Sequence, residues 1–260
     1  MPVDVVIADS PLIFALPYTG TNMQRLIKSR LRDPDHFITV PDYFVERLFG
    51  GLTEAAGVVR CNSHRYLSDV NVKSGSNPVD DRQGRVGSVP FIDNVGNTIW
   101  AHPPSKTEIT NWRSSYCAPF HAALSAQIAK TRSKYGHAVV LTCRGLKTQG
   151  PFQQKNIEAD INIASLMGVS CSVDLSSKLA SIAKATDQFS SVINGSRQAG
   201  WITRNYGRPS SRVHALDIAI KDTCYLTEDE FPGLYDEAKA ESLRDVLRDI
   251  VNFAVRWRPS

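Results

Sequence analysis

The chain has little of what marks membrane, secreted or nucleic-acid-binding proteins. No apolar run reaches the roughly 18 residues that a membrane helix needs. Its five cysteines form no CxxC pair and are odd in number, which is typical of reduced thiols in a cytosolic protein. The basic residues are scattered and the net charge is only +4, so no nucleic-acid partner is predicted. An acid, Asp4, stands where a secretory signal needs bases, so we expect a cytoplasmic location.

The chain has the composition of an ordinary globular protein and is long enough to form a full hydrophobic core. With 42% apolar and 22% charged residues, residues 1–260 are expected to form one domain. Strands are predicted at 11–17, 57–60, 65–70, 137–145, 157–163, 200–205 and 213–221, and helices at 22–32, 42–56, 112–128, 175–189 and 234–255. This alternation predicts a single-domain α/β protein.

The strand at 137–145 predicts where a site would lie. Residues 138–141 are apolar, rich in β-branched side chains and too few for a helix, and the strand ends in a polar tip. Ligands of α/β proteins bind at the carboxyl ends of such strands, so chemistry is expected at this tip. The polar loop at 72–88 is long enough to be mobile or to be ordered by a ligand or partner.

Short motifs in a fixed order connect the sequence to a known family. They are Pro17-x-x-Gly20, Asp42 with Val45-x-Arg47-Leu48, Arg65-Tyr66 with Asp69-x-Asn71, Tyr116-x-x-Pro119-x-His121, Gly168-x-Ser170-Cys171, Asn194-Gly195, Gly200-Trp-Ile-Thr-Arg204-x-Tyr206-Gly207-Arg-Pro and Val213-His-Ala-Leu216. Over nearly its whole length the chain resembles the N-formylglutamate amidohydrolase family of zinc-dependent amide hydrolases. The resemblance implies a carboxypeptidase-like α/β fold with a mixed twisted β-sheet flanked by helices.

The chain departs from the family at the positions that carry the chemistry. Tyr18 and Arg144 stand where the resemblance places two metal-binding histidines. Val72 replaces an arginine, and Ala219 replaces the glutamate that we take to be the family's general base. Asp42 matches the remaining, acidic ligand position.

These departures predict that the zinc chemistry is lost. Catalytic zinc needs about three protein ligands and an open position for water. A guanidinium cannot be deprotonated in a protein, so Arg144 would repel Zn²⁺ where an imidazole should bind it. Without metal and glutamate, nothing activates a water molecule. We therefore expect no metal and no other cofactor, and whether the protein is an enzyme stays open.

Two arginines are the candidates for binding a ligand. Arg204 lies in the best-matched segment and is suited to gripping a substrate carboxylate, although a salt bridge at a strand end would also explain it. Arg144 could fill the place of the metal with a fixed positive charge. Its counter-ion would be Asp42 or an anionic ligand, or the pair would be purely structural. Together they predict a small carboxylate-containing ligand.

Three residues are candidates for catalysis in the absence of metal. Arg144 would lower the pKa of its neighbour Cys143, which could act as a nucleophile with His121 or His64 as base, or could simply be a small buried thiol. Asp217 points from the same strand face as Ala219 and could replace the missing base, although a spacing of roughly 7 Å is long for proton transfer. Tyr18 could act as an acid, or could fill the void left by imidazole and metal.

The other matched residues have weaker assignments. Asp69, Asn71 and His121 are assigned to ligand binding because they lie in matched motifs. A hydrogen-bonded structural role is the alternative for His121, as for His64 and His214.

Three functions remain open at this point. The first is a metal-free family member that binds a carboxylate-bearing amino-acid derivative, as a binding or regulatory subunit beside a protein partner or as a homo-oligomer. The second is a repurposed enzyme acting on an N-acyl or amide amino acid without metal. The third is a zinc amidohydrolase with substituted ligands.

Overall fold

The computed structural model describes residues 1–73, 88–149, 153, 157–196, 198–230 and 232–259. The predicted loop at 72–88 therefore lies almost wholly outside the described residues. Within these ranges the chain forms a single α/β domain with a seven-stranded mixed sheet, which confirms the predicted fold class. None of the helices found there is long and apolar enough to cross a membrane.

Parallel strands form the centre of the sheet. The strands are β1 (Val3–Val6), β2 (Leu12–Leu16), β3 (Gly57–Cys61), β4 (Ala138–Leu146), β5 (Ile161–Ala164), β6 (Ser191–Ile193) and β7 (Val213–Lys221), in the order β1-β3-β2-β4-β7-β5-β6. Strands β3, β2, β4 and β7 run parallel, whereas β1 pairs antiparallel with β3 and β5 pairs antiparallel with β7. The carboxyl ends of β2, β4 and β7 thus meet at one edge.

Helices cover both faces of the sheet. They are α1 (Arg25–Lys28), α2 (Val45–Phe49), α3 (Lys106–Trp112), α4 (Ala118–Tyr135), α5 (Val173–Lys184), α6 (Trp201–Tyr206) and α7 (Glu237–Arg256). Helices α2, α5 and α7 pack on one face, and α4 and α6 pack on the other. Both faces of β4 are consequently buried, which explains its continuous apolar run.

Side chains along β4 point alternately to the two faces of the sheet, which determines the face on which each residue at its carboxyl end lies. Val139, Leu141 and Cys143 face the core under α7, whereas Val140 faces the core under α4. Arg144 shares the α4 side because side chains two apart point from the same face of a strand. The neighbours Cys143 and Arg144 therefore lie on opposite faces.

Two predicted strands are wrong. Residues 200–205 form the helix α6, because Asn71 Oδ1 accepts the N–H of Ile202 and stabilises the first turn at 2.8 Å. Residues 65–70 form turns and not a strand. Val70 packs in the apolar cluster under α4, whereas Leu67 packs in a separate cluster with Trp100 and Trp112. Both errors concern apolar residues whose partners are far away in the sequence.

Candidate active site

The charge of Arg144 is neutralised inside the protein. Its Nε donates to Asp217 Oδ1 at 2.7 Å, and the two side chains are only 9% and 1% exposed. The other carboxylate oxygen of Asp217 accepts the N–H of Gly200 at 2.9 Å. Burial disfavours the charged form of Arg144, but the charge and hydrogen bond of Asp217, together with Tyr18 and Asp42, outweigh it, and the pKa of the guanidinium is raised. Of the alternatives predicted for Arg144, the structure shows a structural ion pair, formed with Asp217 of the adjacent parallel strand β7 rather than with Asp42.

Asp42 instead holds the backbone at the strand tip. Its Oδ2 accepts the N–H of Gly145 at 2.9 Å, and its own N–H donates to the carbonyl of Tyr18 at 2.9 Å. Burial raises the pKa of this carboxyl, and the nearby charge of Lys147 opposes the shift. The carboxylate of Asp42 thus links the ends of β2 and β4.

Tyr18 fills space between charged groups. It is 9% exposed, and the guanidinium of Arg65 lies 4.2 Å from the centre of its ring. Burial, and after it the charge of Asp69, raise the pKa of the phenol, so the hydroxyl stays protonated at neutral pH. This arrangement favours the filling role over acid catalysis.

The Asp69-x-Asn71 motif orders the protein backbone. Asp69 accepts from Arg65 Nη2 at 2.7 Å and from the N–H of Asn71 at 2.9 Å. Asn71 then holds the start of α6, and a Cβ at Gly200 would collide with its amide group. The glycine is required by this close approach. Both predicted ligand-binding residues therefore make internal contacts.

The structure does not bring Cys143 and a histidine together. Cys143 is fully buried under α7, and burial raises its pKa well above the ordinary value. His121 lies on the α4 side, where its Nδ1 is 3.0 Å from the hydroxyl of Tyr206. His64 is buried beside Phe37, and burial lowers its pKa to about 3. These positions favour a buried thiol and structural histidines.

Arg204 lies in a separate, open cleft. Its Nε donates to the carbonyl of Ala199 at 2.9 Å and its Nη2 to Gln198 Oε1 at 2.5 Å. Nη1 has no hydrogen-bond partner among the described residues, and no carboxylate among them pairs with this arginine. The cleft has a volume of about 340 Å³ and is lined by Ala164, Leu166, Met167, Asn194, Gly195, Gln198, Ala199 and Arg204.

The backbone of residues 199–200 separates the two arginines. The carbonyl of Ala199 bonds Arg204, and the N–H of Gly200 bonds the counter-ion of Arg144. Arg144 and Arg204 are therefore not positioned to bind one ligand together, as had been predicted. The roles of Arg65 and Lys147 were not predicted from the sequence, although the four-residue spacing of Arg65 and Asp69 is typical of an ion pair.

The residues at the strand tips do not fit a zinc ion. Tyr18, Asp42 and Arg144 offer a protonated phenol, a single carboxylate and a permanent cation. In the part of the chain that the structure describes, no three His, Cys, Asp or Glu side chains converge as metal ligands do. A catalytic zinc site needs about three neutral or anionic donors, so this donor set is unsuitable.

Comparisons with known proteins agree on one family. Residues 10–226 match the family described as N-formylglutamate amidohydrolase. The chain is 25% identical over 250 residues to N-formylglutamate deformylase of Pseudomonas aeruginosa, which covers 95% of this chain and 93% of that protein. N-formylglutamate deformylase of Pseudomonas putida is 23% identical over 254 residues, with 95% and 93% covered.

Solved structures share the fold. N-formylglutamate amidohydrolase from Ralstonia eutropha superimposes with a TM-score of 0.80 at 18% identity and covers 98% of both chains. A gene product of Agrobacterium tumefaciens gives a TM-score of 0.74 at 15% identity, with 97% of this chain and 94% of that chain covered. These likenesses confirm the predicted architecture.

Proposed function

Because the chain belongs to the N-formylglutamate amidohydrolase family, we propose that it is a metal-independent member that binds a small carboxylate-bearing amino-acid derivative. It would act as a binding or regulatory subunit rather than as an amidohydrolase. The observation that carries this proposal is a contrast between two arginines: Arg144 is in a buried ion pair at the strand tips, whereas Arg204 lies in a cleft with no partner for its Nη1 among the described residues.

The ion pair argues against hydrolysis at the strand tips. Arg144 and Asp217 satisfy each other at 2.7 Å in a place that is almost closed to water. A metal ion there would have to displace a buried cation and leave it without its partner, which costs several kcal/mol. Asp217 is also unsuited to act as a base, because its two carboxylate oxygens are bonded to Arg144 and to the N–H of Gly200.

The cleft supports binding. Arg204 is fixed by its Nε and Nη2 bonds, so its guanidinium is held in place before a ligand arrives. Nη1 has two N–H donors for a carboxylate, and such charge-assisted bonds are about twice as strong as neutral ones. Gln198 and Asn194 add amide groups beside it. A volume of about 340 Å³ is in the range of small-molecule sites.

Metal analysis tests the first half of the proposal. Protein purified without chelator is expected to contain far less than one zinc ion per chain. The deformylase activity of the same preparation, measured with N-formylglutamate, is expected to be absent. Near-stoichiometric zinc that is lost on chelation together with deformylase activity would mean that the protein is a zinc amidohydrolase.

Calorimetric titration with N-formyl amino acids tests the second half. Binding is expected without turnover, and Arg204→Ala should weaken it at least tenfold because the carboxylate loses its charged partner. Arg25→Ala removes an exposed arginine on α1 and is the control for net charge. Unchanged affinity in Arg204→Ala contradicts the carboxylate clamp. Turnover that Cys143→Ala abolishes would indicate a repurposed enzyme instead.

A further inference from the structure

One wall of the Arg204 cleft continues into an exposed apolar surface. Met167 lines the cleft and is 79% exposed, and Val169 and Val173 beside it are 72% and 65% exposed. A Cβ at Gly168 would lie 3.0 Å from Val173, so the loop after β5 and the start of α5 are in contact. These three side chains form an apolar wall beside the cleft.

The backbone of this wall is held in an unfavourable conformation. Leu166 and Met167 have φ angles of 51° and 56°, in the left-handed region that side chains other than glycine and asparagine rarely adopt. Asn194, which also lines the cleft, is left-handed too, with a φ angle of 51°. Such outliers cluster at functional sites, where surrounding structure maintains them.

Asn194 supplies the bonds that maintain this conformation. Its Oδ1 accepts the N–H of Ser165 at 2.8 Å, and its Nδ2 donates to Ser165 Oγ at 3.0 Å. Its Oδ1 also lies 3.4 Å from the amide nitrogen of Met167. The loop is thereby fixed with Met167 at the rim, although turning that side chain inward would bury apolar surface.

We propose that the ligand of this cleft is an N-acyl derivative of an apolar amino acid, with its carboxylate on Arg204 and its aliphatic side chain on Met167 and Leu166. This inference rests on the proposed function and adds the substrate class. The two ends of the ligand are separated because Arg204 is carried by α6 and Met167 by the loop after β5. Ala164 and Ala199, 7% and 2% exposed, form a floor with little side-chain bulk between them.

The apolar surface of Met167 determines which end of the ligand lies on it. Covering Met167 removes apolar surface from water, which stabilises the complex roughly in proportion to the area covered. A second carboxylate at the same place would lose hydration against methyl and thioether groups. An aliphatic side chain is therefore favoured over an acidic one at this end of the cleft.

The test compares three probes by calorimetric titration: N-formyl-leucine, N-formylglutamate and N-formyl-leucinol, which lacks the carboxylate. N-formyl-leucine is expected to bind at least tenfold more tightly than either of the others. Met167→Glu should reduce its advantage over N-formylglutamate at least fivefold. Leu26→Glu, which places the same charge on an 82% exposed leucine of α1, should leave the advantage unchanged.

The outcomes separate the two proposals. Equal affinity for leucine and glutamate derivatives, both weakened by Arg204→Ala, would overturn the apolar preference and leave the carboxylate clamp intact. Tighter binding of N-formyl-leucinol than of N-formyl-leucine would overturn the clamp. No binding of any probe would overturn the proposed function and this inference with it.

Discussion

Two arginines near the same edge of the sheet have opposite surroundings. Arg144 is buried, and Asp217 neutralises it at 2.7 Å. Arg204 is exposed, is oriented by a carbonyl and an amide oxygen, and keeps Nη1 without a partner among the described residues. The backbone of residues 199–200 takes part in both groups of contacts, since the carbonyl of Ala199 accepts from Arg204 and the N–H of Gly200 donates to Asp217.

The difference shows how burial decides what a charge can do. A guanidinium at the dry end of β4 needs a permanent counter-ion, since an isolated buried charge costs far more than folding can supply. A guanidinium at an open cleft is hydrated and can exchange that water for a ligand carboxylate. Under the proposed function, the first arrangement is structural and the second binds the ligand.

Separating the buried pair is the strongest test of this comparison. Arg144→Met leaves Asp217 buried without a counter-ion and is expected to lower the free energy of unfolding by about 3–5 kcal/mol. Arg204→Met, the matched change in the cleft, is expected to alter it by less than about 0.5 kcal/mol. Urea denaturation followed by circular dichroism measures both.

A double variant distinguishes a lost partner from a packing defect. Arg144→Met combined with Asp217→Leu removes both charges and should recover more than half of the loss. If Arg144→Met costs no more than Arg204→Met, the buried pair is not what distinguishes the two regions.

The pH dependence of stability provides a second, somewhat smaller test near the strand tips. Burial lowers the pKa of His64 to about 3, whereas an unfolded histidine titrates near 6.5. The unfolded chain therefore takes up the proton first, so this contribution is fully present above pH 6.5 and is lost as the pH falls toward 3. Between pH 6.5 and 4.5 the loss is about 2 kcal/mol.

His64→Gln should remove this dependence. The glutamine amide can still donate to the carbonyl of Phe37, which Nε2 contacts at 3.1 Å. The slope of unfolding free energy against pH is expected to fall by about 1.4 kcal/mol per unit between pH 6 and 4. His102→Gln, at an exposed position, is the control. An unchanged slope in His64→Gln would show that another group controls acid sensitivity.

The central strands of the sheet could be predicted from the sequence, but the side-chain contacts at the ends of those strands could not. Strands β2, β4 and β7 were predictable because buried parallel strands are continuous apolar runs. The edge strand β1 was missed because most of its residues are exposed. The position of Arg144 was predictable from the motif order, but its partner was not, since Asp217 is 73 residues away and is brought near only by strand pairing.

The helix at 201–206 shows the same limit. Its apolar residues and short length fit a strand as well as a helix, and the decision comes from Asn71, 131 residues away. The left-handed backbone conformation of residues around the cleft could not be recognised from the sequence either. Leu166 and Met167 are ordinary apolar residues, and only Asn194, the type that tolerates this conformation, would have indicated it.

The smallest expected effect is at the cleft rim. Met167→Gly releases a residue at φ 56° and is expected to raise the free energy of unfolding by about 0.5–1 kcal/mol. The same variant should bind N-formyl-leucine more weakly, since the apolar contact is lost. Val169→Gly is the matched control: it is also exposed, but φ is −72°, so glycine there should destabilise by about 0.5–1 kcal/mol. If both glycine variants destabilise equally, the backbone at the cleft rim is not strained.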